Sequence, residues 1–164
     1  MIKRQAYLDK IIPFIDKNLI KVLTGVRRSG KTVLLTQIQD YLIESGVSKN
    51  QIIYISFESV MNEHLQDYHA LYDYLISASK NINGKLYIFL DEIQTVTSWE
   101  KVAASLLVDL DCDVYITGSN SKLLSGELAT LIAGRYVRIS VYPFVLSEAK
   151  QLLLQNGKAV SDEQ

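Results

Sequence analysis

The sequence predicts an α/β fold, a three-layer α-β-α sandwich around a mostly parallel five-stranded sheet, and three observations predict it. Apolar β-prone runs alternate with stretches of helical periodicity along most of the chain. Between the first such run and the first helix lies "TGVRRSGKT", in which Gly25, four intervening residues, Gly30, Lys31 and Thr32 follow the phosphate-binding loop pattern. Further on, "YIFLDEIQ" delivers Asp91 and Glu92 at the tip of a buried strand. Strands alternating with helices imply right-handed crossovers and helices on both faces of the sheet. Ligands then bind beyond the strand C-termini, where both motifs fall.

The elements follow in order. "RQAYLDKIIPFIDKN" carries Tyr7, Ile11 and Ile15 at helical spacing with Pro13 interrupting, which predicts a short helix on the sheet edge. "LIKVLTG" is the first strand, and "KTVLLTQIQDYLIESG" is a helix with Leu34, Ile38 and Leu42 on one face and Gly46 as its stop. "QIIYISF" reads as a buried second strand, followed by an amphipathic helix around Leu71, Tyr74, Leu75 and Ala78. "KLYIFLDE" is the third strand, and the next helix carries Val102, Leu106 and Leu110. "DVYITGS" is the fourth, before a helix with Leu124, Leu128 and Ile132. "RYVRISVYPF" alternates well enough for a fifth strand, ended by Pro143.

Bulk properties narrow the class. With 164 residues and 48% hydrophobic content, residues 1–164 suit one globular domain with a real core. A net charge of -1 gives no global signal for nucleic acid or an anionic membrane. The basic residues Lys21, Arg27, Arg28 and Lys31 are instead expected to crowd the loop, which suits a polyphosphate. The lone Cys112 excludes an internal disulfide and offers no metal-ligand spacing. The N-terminus is charged and no apolar run reaches membrane-spanning length, so a cytoplasmic protein is expected. His64 and His69 read as surface residues, and Trp99 and the tyrosines as core or helix-seam residues.

The chemistry lies in the two motifs. Residues Gly25, Val26, Arg27, Arg28, Ser29, Gly30, Lys31, Thr32 and Val33 form a cradle at a helix N-terminus, where free N–H groups and the helix dipole favour an anion. Lys31 would reach the outer phosphates, and the Thr32 hydroxyl would ligate the magnesium ion bridging them. Asp91 can hold that ion through a water molecule, while Glu92 can orient and deprotonate an attacking water. Adjacent carboxylates on a strand point opposite ways, so the chain must turn at the tip for both to serve one site. Arg27 and Arg28 could contact phosphate, a neighbouring subunit or solvent.

Taken together, "LTGVRRSGKT", "YIFLDEIQ", "YITGSNSKLLSGELATLIAGRYV" and "VYPF" resemble the AAA+ superfamily of P-loop ATPases. They are most similar to the prokaryotic, archaeal-type AAA ATPases that carry a poorly characterised C-terminal domain. The resemblance runs from about Tyr7 to about Leu152. It implies the strand order 5-1-4-3-2, ATP as ligand, Mg2+ as metal, and a polar residue after the fourth strand that senses the γ-phosphate. Ser119 is the first choice for that sensor, with Thr117 and Asn120 as rivals. With ATP as ligand, the leading segment has a second reading as part of an adenine pocket. Arg135 is placed like the arginine finger that reaches a neighbouring subunit's γ-phosphate, which implies a homo-oligomer. "PFVLSEAKQ" departs from the family's usual Pro-aromatic-Ser-Phe-acidic pattern, and no second-sensor arginine can be assigned. The chain is expected to be the N-terminal ATPase module of a longer protein, with the partner-recognising part elsewhere.

Three functional classes stay open from the sequence: an ATP-hydrolysing switch or motor module, a P-loop small-molecule kinase, and a nucleotide-regulated binding module with negligible turnover. Phosphate release without an added acceptor separates the first from the second.

Overall fold

The computed structural model describes residues 3–119, 123, 132 and 134–143. Helix α1 spans Gln5–Ile11 and passes into a single 3-10 turn, Ile12–Phe14, at Pro13, whose missing N–H cannot continue the helix. Strand β1 (Ile20–Thr24) leads through the glycine loop to α2 (Lys31–Glu44). Then come β2 (Ile52–Ser56), α3 (Tyr68–Ser79), β3 (Leu86–Asp91), α4 (Trp99–Asp109), β4 (Cys112–Gly118) and β5 (Tyr136–Ser140). All strand pairs are parallel and the sheet order is β2-β3-β4-β1-β5, which read from the other edge is the expected 5-1-4-3-2.

Strand parity sorts the side chains into two cores, one on each face. Ile20, Val22, Ile88, Leu90, Val114 and Ile116 pack under α3 and α4 with Leu71, Leu75, Trp99 and Leu106. Leu23, Phe89, Tyr115 and Ile139 pack under α1 and α2 with Leu8, Ile11, Leu34 and Ile38. Phe89 and Tyr115 stack at the centre of that second face, with ring centroids 4.6 Å apart. Because parity alternates, Asp91 shares its face with Tyr87 and Phe89, and Thr117 shares its face with Asp113 and Tyr115. Both therefore emerge on the α2 side of the sheet, at its C-terminal rim.

Some expectations shift. Strand β2 is an edge strand with Tyr54 exposed and only Ile55 fully buried, not the buried strand its apolar run predicts. In α3 the inward stripe is Tyr68, Leu71, Tyr72 and Leu75, so Tyr74 is turned to solvent. Lys21 does not join the loop. It is fully buried toward the opposite end of β1, where its ammonium pairs with Asp113, while Tyr115 and the Asp16 N–H donate to the same carboxylate at 2.8 and 2.9 Å. Burial pulls the Lys21 pKa down, with Asp113 opposing. Trp99 is core, and His64 and His69 are exposed. Most of the helix expected around Leu124 and Leu128 lies outside the described residues, although Leu123 and Ile132 are buried against the first core. No helix among the described residues is long and apolar enough to cross a membrane.

Candidate functional site

The loop between β1 and α2 takes its shape from two residues with positive φ, Arg28 at 65° and Gly30 at 89°. Gly30 caps α2 with no side-chain hydrogen bond, so the first N–H groups of that helix stay available to an anion. Gly25 is required for a different reason from close approach to phosphate. A Cβ there would lie 2.2 Å from the Val141 carbonyl, at the point where Val141 N–H donates to the Thr24 carbonyl at 2.7 Å. Lys31, almost fully buried, folds back to donate to the Gly25 and Val26 carbonyls at 3.1 and 3.2 Å. Its ammonium also lies 3.4 Å from Glu92 Oε1.

The strand tips meet this loop. Thr32 Oγ1 donates to Asp91 Oδ2 at 2.8 Å, and the Tyr54 hydroxyl reaches the same oxygen at 3.0 Å. Partial burial of the hydroxyl end, and then the Asp91 charge, pushes the Tyr54 pKa up to about 12, so it stays a neutral donor. The Thr117 hydroxyl donates to Asp91 Oδ1 at 2.5 Å and accepts the Glu92 N–H at 2.9 Å, bridging the two acidic positions. Glu92 turns into the left-handed region, φ 57° and ψ 48°, and this turn brings its carboxylate round to the loop beside Asp91. Gln94 Nε2 then donates to Glu92 Oε2 at 2.5 Å.

Arg27, Arg28, Gly30, Lys31, Thr32, Val33, Glu58 and Glu92 line a cavity of about 420 Å³. Adjoining it, a space of about 330 Å³ shares Arg27, Lys31, Glu58 and Glu92 and adds Gln94 and Ser119. A larger cavity of about 510 Å³ lies where α2 ends, lined by Asp16, Tyr41 and Tyr87. A helix C-terminus beside a carboxylate disfavours anions, so the phosphate chemistry belongs to the first pair. Asp91 and Thr32 give only two protein side chains, and no cluster of three metal-ligating side chains occurs among the described residues. That donor set fits magnesium carried in by phosphate oxygens, since this ion keeps most of its shell as water and phosphate.

The expected site residues divide accordingly. Lys31, Thr32, Glu92 and Ser119 line the paired cavities, with Arg27, Arg28, Gly30 and Val33, and Asp91 lies buried behind Thr32; Gly25, Val26 and Ser29 shape the loop without lining it. Asn120 lies outside the described residues, and the Thr117 hydroxyl is committed to Asp91 and Glu92. Arg135 stands apart. Its carbonyl accepts the Ile20 N–H at 2.8 Å, beside the start of β1, whereas the loop follows the end of that strand.

Arg4, Tyr54, Glu58 and Gln94 have contacts at or around the site that no sequence signal assigns. Glu58 lies 4.0 Å from Arg27 across the cavity mouth. Arg4 is 1% exposed and forks between the Ser29 carbonyl of the loop and the Tyr142 carbonyl after β5, each at 2.7 Å. It also lies over the Tyr7 ring at 4.4 Å. Nothing in a charged N-terminal segment separates a buried arginine from a solvated one. Arg4→Ala strips the buried Ser29 carbonyl and the part-buried Tyr142 carbonyl of a charged donor and is expected to cost about 2–4 kcal/mol in urea unfolding. Arg4→Lys, lacking the fork, should recover little of it. A loss near zero would show that this brace carries no stability.

The AAA domain family matches residues 17–150 of the chain. An uncharacterised protein of Haemophilus influenzae is 45% identical over 148 residues, covering 90% of this chain and 37% of its own length. One from Methanocaldococcus jannaschii is 38% identical over 141 residues, covering 85% of this chain and 29% of its own. The chain therefore spans about a third of the length of the curated relatives it matches. Among solved structures, a DNA replication initiation factor superposes with a TM-score of 0.63 at 17% identity, over 96% of this chain and 52% of that one. Replication initiator DnaA bound to AMPPCP and single-stranded DNA does so with a TM-score of 0.63 at 18% identity, over 99% and 55%. At such identities the likeness is one of fold.

Proposed function

The chain belongs to the AAA domain family, and from that premise we propose that it is a magnesium-dependent ATPase module working as a conformational switch or motor. The observation that carries this reading is the 2.8 Å contact between Thr32, at the start of α2, and Asp91, at the tip of β3, which joins the phosphate loop to the acidic pair. Lys31 leaves the loop carbonyls and Glu92 to meet the outer phosphates, and the α2 N-terminus holds the chain of phosphates. Thr32 and Asp91 would hold magnesium, which when bound neutralises charge on the phosphates. Glu92 takes a proton from water as the water oxygen bonds to the γ-phosphorus. The bond to the β-γ bridging oxygen breaks, and ADP leaves with that electron pair. Ser119 faces the same space as Lys31 and Glu92 and serves as the γ-phosphate sensor.

Output is assigned to a domain outside these residues or to a neighbouring subunit, with Arg135 acting in trans. The buried free Cys112 suits a reducing compartment, and we place the protein in the cytoplasm. The experiment is isothermal titration of ATP with magnesium into the parent and Lys31→Ala proteins. The variant should lose affinity about 10-fold or more, because the lysine meets phosphate; it also leaves the Gly25 and Val26 carbonyls without their donor, so an unfolding curve read beside the titration separates lost affinity from lost stability. Equal affinities would refute the loop assignment. Phosphate release by the parent, without acceptor, separates hydrolysis from a kinase or a binding module with negligible turnover.

A further inference from the structure

Gln94 follows the acidic pair in the 3-10 turn Ile93–Thr95, and its amide is used unevenly. The Nε2 end donates to Glu92 Oε2 at 2.5 Å. The Oε1 end is buried and has no hydrogen-bond partner among the described residues. An amide in that setting has a reason to be held against one neighbour while leaving an acceptor unsatisfied, since such an acceptor is costly. It is wedged against the end of β4: a Cβ on Gly118 would lie 2.4 Å from Gln94 Oε1, as well as 2.6 Å from two side-chain atoms of Leu123, so glycine there leaves room for both. Gln94 therefore sits between the Glu92 carboxylate and the strand that leads to Ser119, on the wall of the space it shares with both.

Glu92 has two side-chain partners here, Lys31 on Oε1 and Gln94 on Oε2. Lys31 is drawn to phosphate when nucleotide binds, which leaves Gln94 as the remaining hold. We propose that Gln94 is the positioning residue for hydrolysis, fixing the Glu92 carboxylate through its amide N–H while its open Oε1 faces the end of the sensor strand. This rests on the ATPase reading above. A base displaced by about 1 Å loses on the order of 100-fold in rate, so the role of Gln94 should appear in turnover and not in nucleotide affinity.

The test compares Gln94→Met and Gln94→Ala with the parent. Gln94→Met keeps length and packing but loses the donor, so kcat for ATP hydrolysis should fall about 10- to 100-fold. Its affinity for a non-hydrolysable ATP analogue with magnesium, read by titration, should stay within about 3-fold of the parent. Its melting temperature should stay close to the parent's, because a buried acceptor without a partner leaves with the amide. Gln94→Ala removes the same donor and should lower kcat by a similar factor. A Gln94→Met protein with parental kcat, or one whose affinity falls in step with kcat, overturns the positioning role while leaving the ATPase reading intact. A parent that binds ATP but releases no phosphate overturns the hydrolytic reading, and this role with it.

Discussion

Glu92→Gln is expected to lower ATP hydrolysis by ~100-fold or more while ATP and magnesium still bind. The expectation follows from what the substitution keeps. Glutamine has the length of glutamate, and the hydrogen bond from the Glu92 N–H to Thr117, at 2.9 Å, belongs to the backbone and is retained. The left-handed turn at φ 57° is as accessible to one residue as to the other. What disappears is the carboxylate that accepts a proton. The 3.4 Å ion pair with Lys31 also weakens, which frees the ammonium for phosphate, so affinity should hold or rise. Phosphate release measured beside titration separates the two effects. A variant hydrolysing at the parental rate would remove Glu92 from the chemistry, and one that no longer binds ATP would make its role structural.

Much of this site is legible in the sequence because two periodicities meet in it. The period of two along "YIFLDE" and "VYITG" places Asp91 and Thr117 on one face, and the glycine spacing starts α2 on that same face. The strand order depends on more than pattern and was expected only through the family resemblance. Long-range polar contacts are what pattern does not carry. Lys21 and Arg27 look alike in sequence, yet one is sealed against Asp113 inside the sheet and the other is exposed beside Glu58. Arg4 bonds across 25 residues to Ser29 and across 138 to Tyr142, separations at which no local signal survives. Tyr74 misleads because two helical stripes, one through Tyr74 and Ala78 and one through Leu71 and Leu75, fit the same apolar residues. Only packing against α4 selects between them.

Arg135→Ala is expected to lower hydrolysis on the order of 1,000-fold in assembled protein and to leave the isolated module's slow turnover unchanged. The fold supports a role in trans by distance. Arg135 precedes β5, whose first residue, Tyr136, is level with Ile20, while Ser140 is level with Thr24 next to the loop. Five residues of extended strand, roughly 16 Å, therefore separate it from its own phosphate cradle, beyond the span of an arginine side chain. It is exposed, and its backbone is fixed by an N–H donated to the Ile132 carbonyl at 2.9 Å as well as by the Ile20 contact. Gly134, at φ 75°, makes the sharp turn that sends the chain into β5. A guanidinium carried on a fixed backbone position and turned to solvent suits the charge that develops on another subunit's phosphate. A helix-terminal arginine that merely satisfies carbonyls would leave activity indifferent to assembly. The decisive experiment mixes Glu92→Gln protein with Arg135→Ala protein under assembling conditions, in the longer natural polypeptide. Each should be nearly inactive alone, and the mixture should regain activity because some interfaces then pair an intact Glu92 with an intact Arg135. If Arg135→Ala is as active as the parent in the assembled state, or mixing restores nothing, the arginine does not act across an interface.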